Sequence, residues 1–239
     1  SRYAPEISSF IGERSGRRVS IDSVIVRFLP HPDITIKGLS ISGKDETFLR
    51  SVAVSVKVSY LPLLMRRVHL KSLDMKGVTM RVRRYPDAHT NIDDIIGASR
   101  DGRDGGGFDL EIGSARLESG TLLFTDLAAQ GQPSFEVAGL RGTWATDGGT
   151  KRFELEGMLV PGTRVSLDGV LTPDRITGEG NITAIDLGRL TPYAGSLSKG
   201  ASFNGKADAA FSYTLGTDNE IRARLNYTGL TLRLPEILE

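Results

Sequence analysis

Cysteine is absent from all 239 residues, which excludes disulfides, thiolate metal sites and cysteine nucleophiles together. Neither charge sign prevails: 30 Lys and Arg against 29 Asp and Glu leave a net charge of +1. With a pI of about 7.9, the chain as a whole has no electrostatic case for nucleic acid. No apolar run approaches the ~18–20 residues that a bilayer-spanning helix needs. Aromatics make up 7%, with one Trp, so any apolar surface is aliphatic first. Histidine is scarce too. His31, His69 and His89 show no metal-ligand spacing and read as turn or strand-surface residues. What remains is 39% hydrophobic residues at a mean hydropathy of −0.15, enough for a sizeable core. The chain opens on Ser1 without Met and stops after a strand-like run, so it is expected to be cut from something longer.

A short pattern recurs instead of a catalytic motif: apolar, x, apolar, x, Ser or Gly, apolar, x, apolar. It reads Val19-Ser-Ile-Asp-Ser-Val-Ile-Val26, Ile34-Thr-Ile-Lys-Gly-Leu-Ser-Ile41 and Val68-His-Leu-Lys-Ser-Leu-Asp-Met75. It returns as Leu110-Glu-Ile-Gly-Ser-Ala-Arg-Leu117, Leu225-Asn-Tyr-Thr-Gly-Leu-Thr-Leu232 and, more weakly, Phe135-Glu-Val-Ala-Gly-Leu-Arg-Gly142. Each half alternates with period two, the signature of a strand with one buried face. The alternation slips by one at Ser23, Gly38, Ser72, Ser114, Gly139 and Gly229. A β-bulge with a small residue absorbs such a slip and keeps the apolar side chains on one face.

Residues 4–16 predict a short helix, with Pro5 suited to its first turn and Gly16 to its end. Strands are expected near 18–28, 32–43, 48–60, 67–75 and 77–85, then near 108–118, 120–127, 133–144, 152–160, 163–171, 175–185, 201–215 and 220–234. The regular turn signals predict an antiparallel meander. Leu61–Met65 reads as an apolar helical turn, and Asn91 as the N-cap of a turn carrying Asp93 and Asp94. Residues 99–107 form a Gly-rich linker between a module at 1–98 and further strands at 108–239.

Motifs that could carry chemistry resolve into ordinary duties. Ser196-Leu-Ser-Lys199 matches S-x-x-K, but the partner motifs S-D-N and K-T-G do not occur. Asp87, Asp93 and Asp94, or Asp101 and Asp104, lack calcium-loop spacing and suit turns and caps. No enzymatic activity and no cofactor are expected. Basic residues cluster early, among them Arg14, Arg17 and Arg18, where a membrane-proximal end could meet anionic headgroups.

The ordered series over the first hundred residues resembles the N-terminal module of the AsmA family of bacterial envelope proteins. It comprises Ser15-Gly-Arg-Arg-Val19, Phe28-Leu-Pro-His-Pro-Asp-Ile-Thr-Ile36, Gly38-Leu-Ser-Ile-Ser42, Ser59-Tyr-Leu-Pro-Leu-Leu64, the pair Val68 to Arg83, and Asp87-Ala-His-Thr-Asn-Ile-Asp-Asp-Ile-Ile96. Ala88 stands where the family commonly has Gly. Further on, Gly120-Thr-Leu-Leu-Phe-Thr-Asp126, Phe153-Glu-Leu-Glu-Gly157 and Asp186-Leu-Gly-Arg-Leu-Thr-Pro-Tyr193 look like its later repeats.

The strand pattern makes the fold mainly all-β with a short N-terminal helix and a few helical turns, and periodicity fits a closed sandwich core and an open sheet alike. The resemblance implies the latter, an elongated, strongly curved antiparallel sheet forming an open hydrophobic groove, chorein-like at its start. The resemblance implies a lipid conduit in the periplasm, anchored in the inner membrane by a transmembrane helix before Ser1. Its cargo would be phospholipid passing between inner and outer membranes. Candidate lining residues are Ile34, Ile36, Val52, Val54, Val56, Val58, Leu70, Leu110, Ile112, Leu122, Phe124 and Leu155. A smooth aliphatic wall suits acyl chains, which need area and no directed hydrogen bonds. The rival expectation is a protein-interaction scaffold in envelope assembly, adding a partner's strand to an open sheet edge.

Overall fold

A computed structural model describes residues 4–28, 32–43, 46–59, 68–93, 110–129, 131–172, 174–191, 202–216 and 219–233. Helix α1 (Ala4–Ser15) precedes β1 (Arg18–Ser20), β2 (Ser23–Arg27), β3 (Asp33–Ser42), β4 (Thr47–Val58) and β5 (Val68–Arg84). Then come β6 (Leu110–Ile112), β7 (Ser114–Asp126), β8 (Ser134–Asp147), β9 (Thr150–Leu159), β10 (Thr163–Leu171) and β11 (Ile176–Asp186). A 3₁₀ turn, η1 (Leu187–Leu190), leads to β12 (Ser202–Leu215) and β13 (Glu220–Arg233). All 13 strands form one sheet in the order β1-β3-β4-β5-β7-β8-β9-β10-β11-β12-β13, with β2 also on β3 and β6 also on β5. The sheet is curled and open: its end strands, β1 and β13, do not pair with each other.

Three expectations are corrected here. The predicted strands 67–75 and 77–85 are one 17-residue strand, β5; Gly77 bends it at φ +58° and does not turn it. Likewise β7 runs unbroken through Gly120. The meander is not wholly antiparallel, because β5 pairs in parallel with β6 and β7. A parallel partner needs a crossover connection, and residues 85–109 provide one. Pairing from Leu73↔Ala115 to Arg84↔Asp126 carries the sheet across this junction. The linker 99–107, the turn Leu61–Met65, Ser196–Lys199 and His31 lie outside the described residues.

The small residues that interrupt the apolar pattern mark a crease. In β3, Ile34 and Ile36 face the core, and then Leu39 does; in β5, Leu73 and Met75 do, and then Val78. The register of β3 on β4 is the same on either side, from Lys37↔Ala53 to Leu39↔Ser51. Each strand therefore shifts its face at the same line. Gly38 (φ +63°), Gly77, Ser119 (φ +58°) and Gly139 (φ +63°) place a left-handed residue on that line in β3, β5, β7 and β8, a conformation glycine adopts freely. A second line crosses the last three strands at Ala184, Gly205 and Gly229, with register shifts beside Ala184 and Gly205. Ser23 and Ser114 each open a strand after a break, and Ser72 adjoins the shift at Lys57/Val58.

Candidate functional site: the apolar inner face

One face of the sheet is apolar along its length and the other is polar. In β8 the half-buried positions include Phe135, Val137, Leu140, Gly142 and Trp144, while Glu136, Arg141 and Thr143 point the other way into solvent. The same alternation sets Leu117, Leu122 and Phe124 of β7, and Phe153 and Leu155 of β9, beside them by register. Among the described residues no second sheet covers this face. Near β2–β5 it is closed by α1: Ala4 belongs to one buried cluster with Val24, Ile36 and Val54, and Ile7 packs on it.

Further along, glycine thins the wall. A Cβ on Gly180 would lie 2.3 Å from the ring of Phe211, and one on Gly178 would lie 2.5 Å from the Tyr213 hydroxyl oxygen. The rings thus lie flat across bare backbone, an arrangement that rescues strand glycines by covering them. Tyr213 donates to the Asp168 carbonyl at 3.0 Å; burial, with the Asp168 charge adding, holds its hydroxyl above the usual phenol range. Leu155 lies over Gly142, whose Cβ would sit 3.1 Å from Leu155 Cδ1. Stacked pairs extend the lining, Phe124 on Phe135 at 6.3 Å and Trp144 on Phe153 at 6.4 Å between centroids.

The predicted lining residues separate into three groups. Ile34, Ile36, Val54 and Val56 belong to or pack on the cluster under α1, and Val58 is likewise buried. Leu70 pairs with Val58 and with Ile112, while Leu122, Phe124 and Leu155 lie on the stretch that α1 does not reach. Val52 is a correction: it is 68% exposed whereas Ser51 and Val54 are buried. The crease passes through β4 at that residue, so it leaves the face of Val54, Val56 and Val58. Leu110 stands opposite Val68 in β6; its side chain lies outside the described residues. Pattern reading passed over Phe135, Val137, Leu140, Trp144 and Phe211, although the alternation around 133–144 carried the signal for the first four.

Of the basic candidates, Arg14 lies in α1 and Arg18 is exposed in β1. Arg17 is used within the fold: its guanidinium stacks 4.2 Å from the Phe48 ring centroid and donates to the Asn91 carbonyl at 2.8 Å. Asn91 is not the cap it was expected to be. Its Oδ1 accepts from Arg83 N at 2.9 Å and its Nδ2 donates to the Arg81 carbonyl, extending the edge of β5. Thr90 holds the turn with Asp93, whose carboxylate accepts the Thr90 amide at 2.8 Å and the Thr90 hydroxyl. These two bonds hold the Asp93 carboxyl below its ordinary range. Among the described residues no group of acidic or histidine side chains could hold a metal, and no helix is long and apolar enough to cross a membrane.

A scan against protein-family models and a search of curated proteins match nothing.

Proposed function

We propose that this chain is a lipid-binding conduit whose work is to keep acyl tails out of water along the inner face of its sheet. The observation that carries this reading is a single open sheet with one apolar face that no second sheet covers among the described residues. A water-soluble domain normally buries such a face against another layer, and extended exposed apolar surface marks an interaction site. The lining is aliphatic and aromatic, with glycines that flatten it, and an acyl chain asks for nothing more directed. No residue is assigned chemistry. The polar outer face stays in water, and headgroups would sit at the open seam. In keeping with the resemblance to the AsmA family, we place the conduit in the periplasm, anchored in the inner membrane, carrying phospholipid between the two membranes.

Substitution of Leu155, 36% exposed on the apolar face, tests this against Met158, 48% exposed on the opposite face of the same strand. Leu155→Asp is expected to stay folded and lower bound lipid several-fold, while Met158→Asp leaves it unchanged. Equal occupancy in both folded variants overturns the reading.

A second reading has its own observation. β13 is exposed at every position from Glu220 to Thr231, and no strand pairs with its outer edge among the described residues. Such an edge is a template for strand addition, as a scaffold for envelope proteins would require. Capture of unfolded outer-membrane strands by lipid-free protein would favour it.

A further inference from the structure

We infer that Arg189 marks a headgroup station for an anionic lipid on this face, an inference that rests on the conduit reading and gives it a preferred cargo. Arg189 belongs to η1, whose start is fixed by Asp186 accepting the Gly188 amide at 2.9 Å. Its guanidinium sits 5.5 Å from the centroid of the Phe135 ring and donates to the Val160 carbonyl. The same residues line a cavity of about 570 Å³ with Phe124. A cation beside stacked aromatic rings is held by the ring quadrupole but keeps most of its five donors.

The charges around the cavity do not cancel. Arg189 stands over Phe135 on the apolar face, whereas Arg81 and Glu136, which also border the cavity, lie with Leu123 on the opposite face by register. Arg83 is paired with Glu46 at 2.9 Å. Among the described residues neither Arg81 nor Arg189 has a carboxylate partner. A guanidinium presents a planar fork that matches phosphate or carboxylate oxygens. Beside it the Phe124 and Phe135 rings continue the apolar face. One occupant satisfies both features: a lipid whose phosphate meets Arg189 and whose chains lie along the lining.

The test loads the full chain from vesicles of phosphatidylcholine mixed with phosphatidylglycerol and reads bound lipid by mass spectrometry. The protein is expected to enrich phosphatidylglycerol several-fold over the vesicle composition. Arg189→Gln should carry both lipids in vesicle proportion, with unchanged total occupancy and circular dichroism; Arg189→Lys should keep part of the preference. Enrichment that survives in Arg189→Gln, or wild-type loading in vesicle proportion, overturns the station while leaving the conduit standing. Wild-type protein that takes up neither lipid overturns both. Inorganic phosphate at millimolar concentration is expected not to displace phosphatidylglycerol; displacement would make this a free-anion site and overturn the headgroup assignment.

Discussion

Asp126 is 1% exposed at the end of β7, and both its oxygens accept hydrogen bonds. Oδ1 accepts the amides of Ala128 and Ala129 at 3.0 and 3.3 Å, and Oδ2 accepts from Arg84 at 3.2 Å. Removing it strands those groups, so Asp126→Ala should cost roughly 2–3 kcal/mol, read as a lowered denaturant midpoint. Ala88 works in the other direction. It holds φ +68° in the turn that closes with Tyr85 N on the His89 carbonyl at 2.8 Å, a conformation that costs an L-residue about 1 kcal/mol or more. Ala88→Gly should stabilise by up to about 1 kcal/mol, less the entropy glycine gives up; a destabilised variant would deny the strain. Tyr213 links stability to alkaline pH. Its folded pKa is raised, so its contribution is complete below the ordinary phenol range and fades as pH rises above about 10. Tyr213→Phe should flatten that alkaline slope in a pH series of unfolding midpoints, although it also loses the bond to Asp168.

Strand β4 crosses the crease without a glycine, and Ser51 stands in for one. Its buried hydroxyl lies 3.1 Å from the carbonyls of Ala53 and Lys76 across the crease. In β5 the bend depends on Gly77, where a Cβ would also lie 2.7 Å from Val52 Cγ2. Gly77→Ala should therefore cost about 1–2 kcal/mol from the backbone alone, with a further steric part that Val52→Ala relieves. A double-mutant cycle with no coupling between the two would remove Val52 from the crease. Most of these elements were legible beforehand. The helix at 4–16 and the strands from 133 onward fall within about three residues of prediction, because helix end signals and period-two alternation are local. The small residues at Gly139 and Gly229 were legible as bulges for the same reason, and register shifts lie beside both. The bulge expected at Gly38 is instead a change of face with no change of register. Pairing was not. Nothing local says that β7 runs parallel to β5, or that Gly77 bends a strand where glycine more often ends one. The misplacement of Val52 has the same origin: a run of alternating valines hides a face change whose cause lies in the neighbouring strands.

At the scale of the molecule, the apolar face changes character along the sheet. Over β2–β5 it is a closed core under α1, so aspartate at Val54 or Val56 is expected to unfold this end and cannot report on lipid. Over β7–β12 no second sheet covers it among the described residues, and on β13 Leu225 and Tyr227 are 62% and 63% exposed. Only the part beyond the core closed by α1 therefore leaves apolar surface on which an acyl chain can lie. Alternation alone fitted a closed core and an open face alike, and the open groove came from the family resemblance. Ile34, Ile36, Val54 and Val56 of the expected lining fall in the cluster under the helix, since α1 docks by tertiary contact. The most direct measurement is native mass spectrometry of the chain purified without detergent, followed by extraction and analysis of bound lipid. Phospholipid at near-stoichiometric amount is the expected result. A clean lipid-free mass from folded protein, unchanged after incubation with phospholipid vesicles, would contradict the conduit.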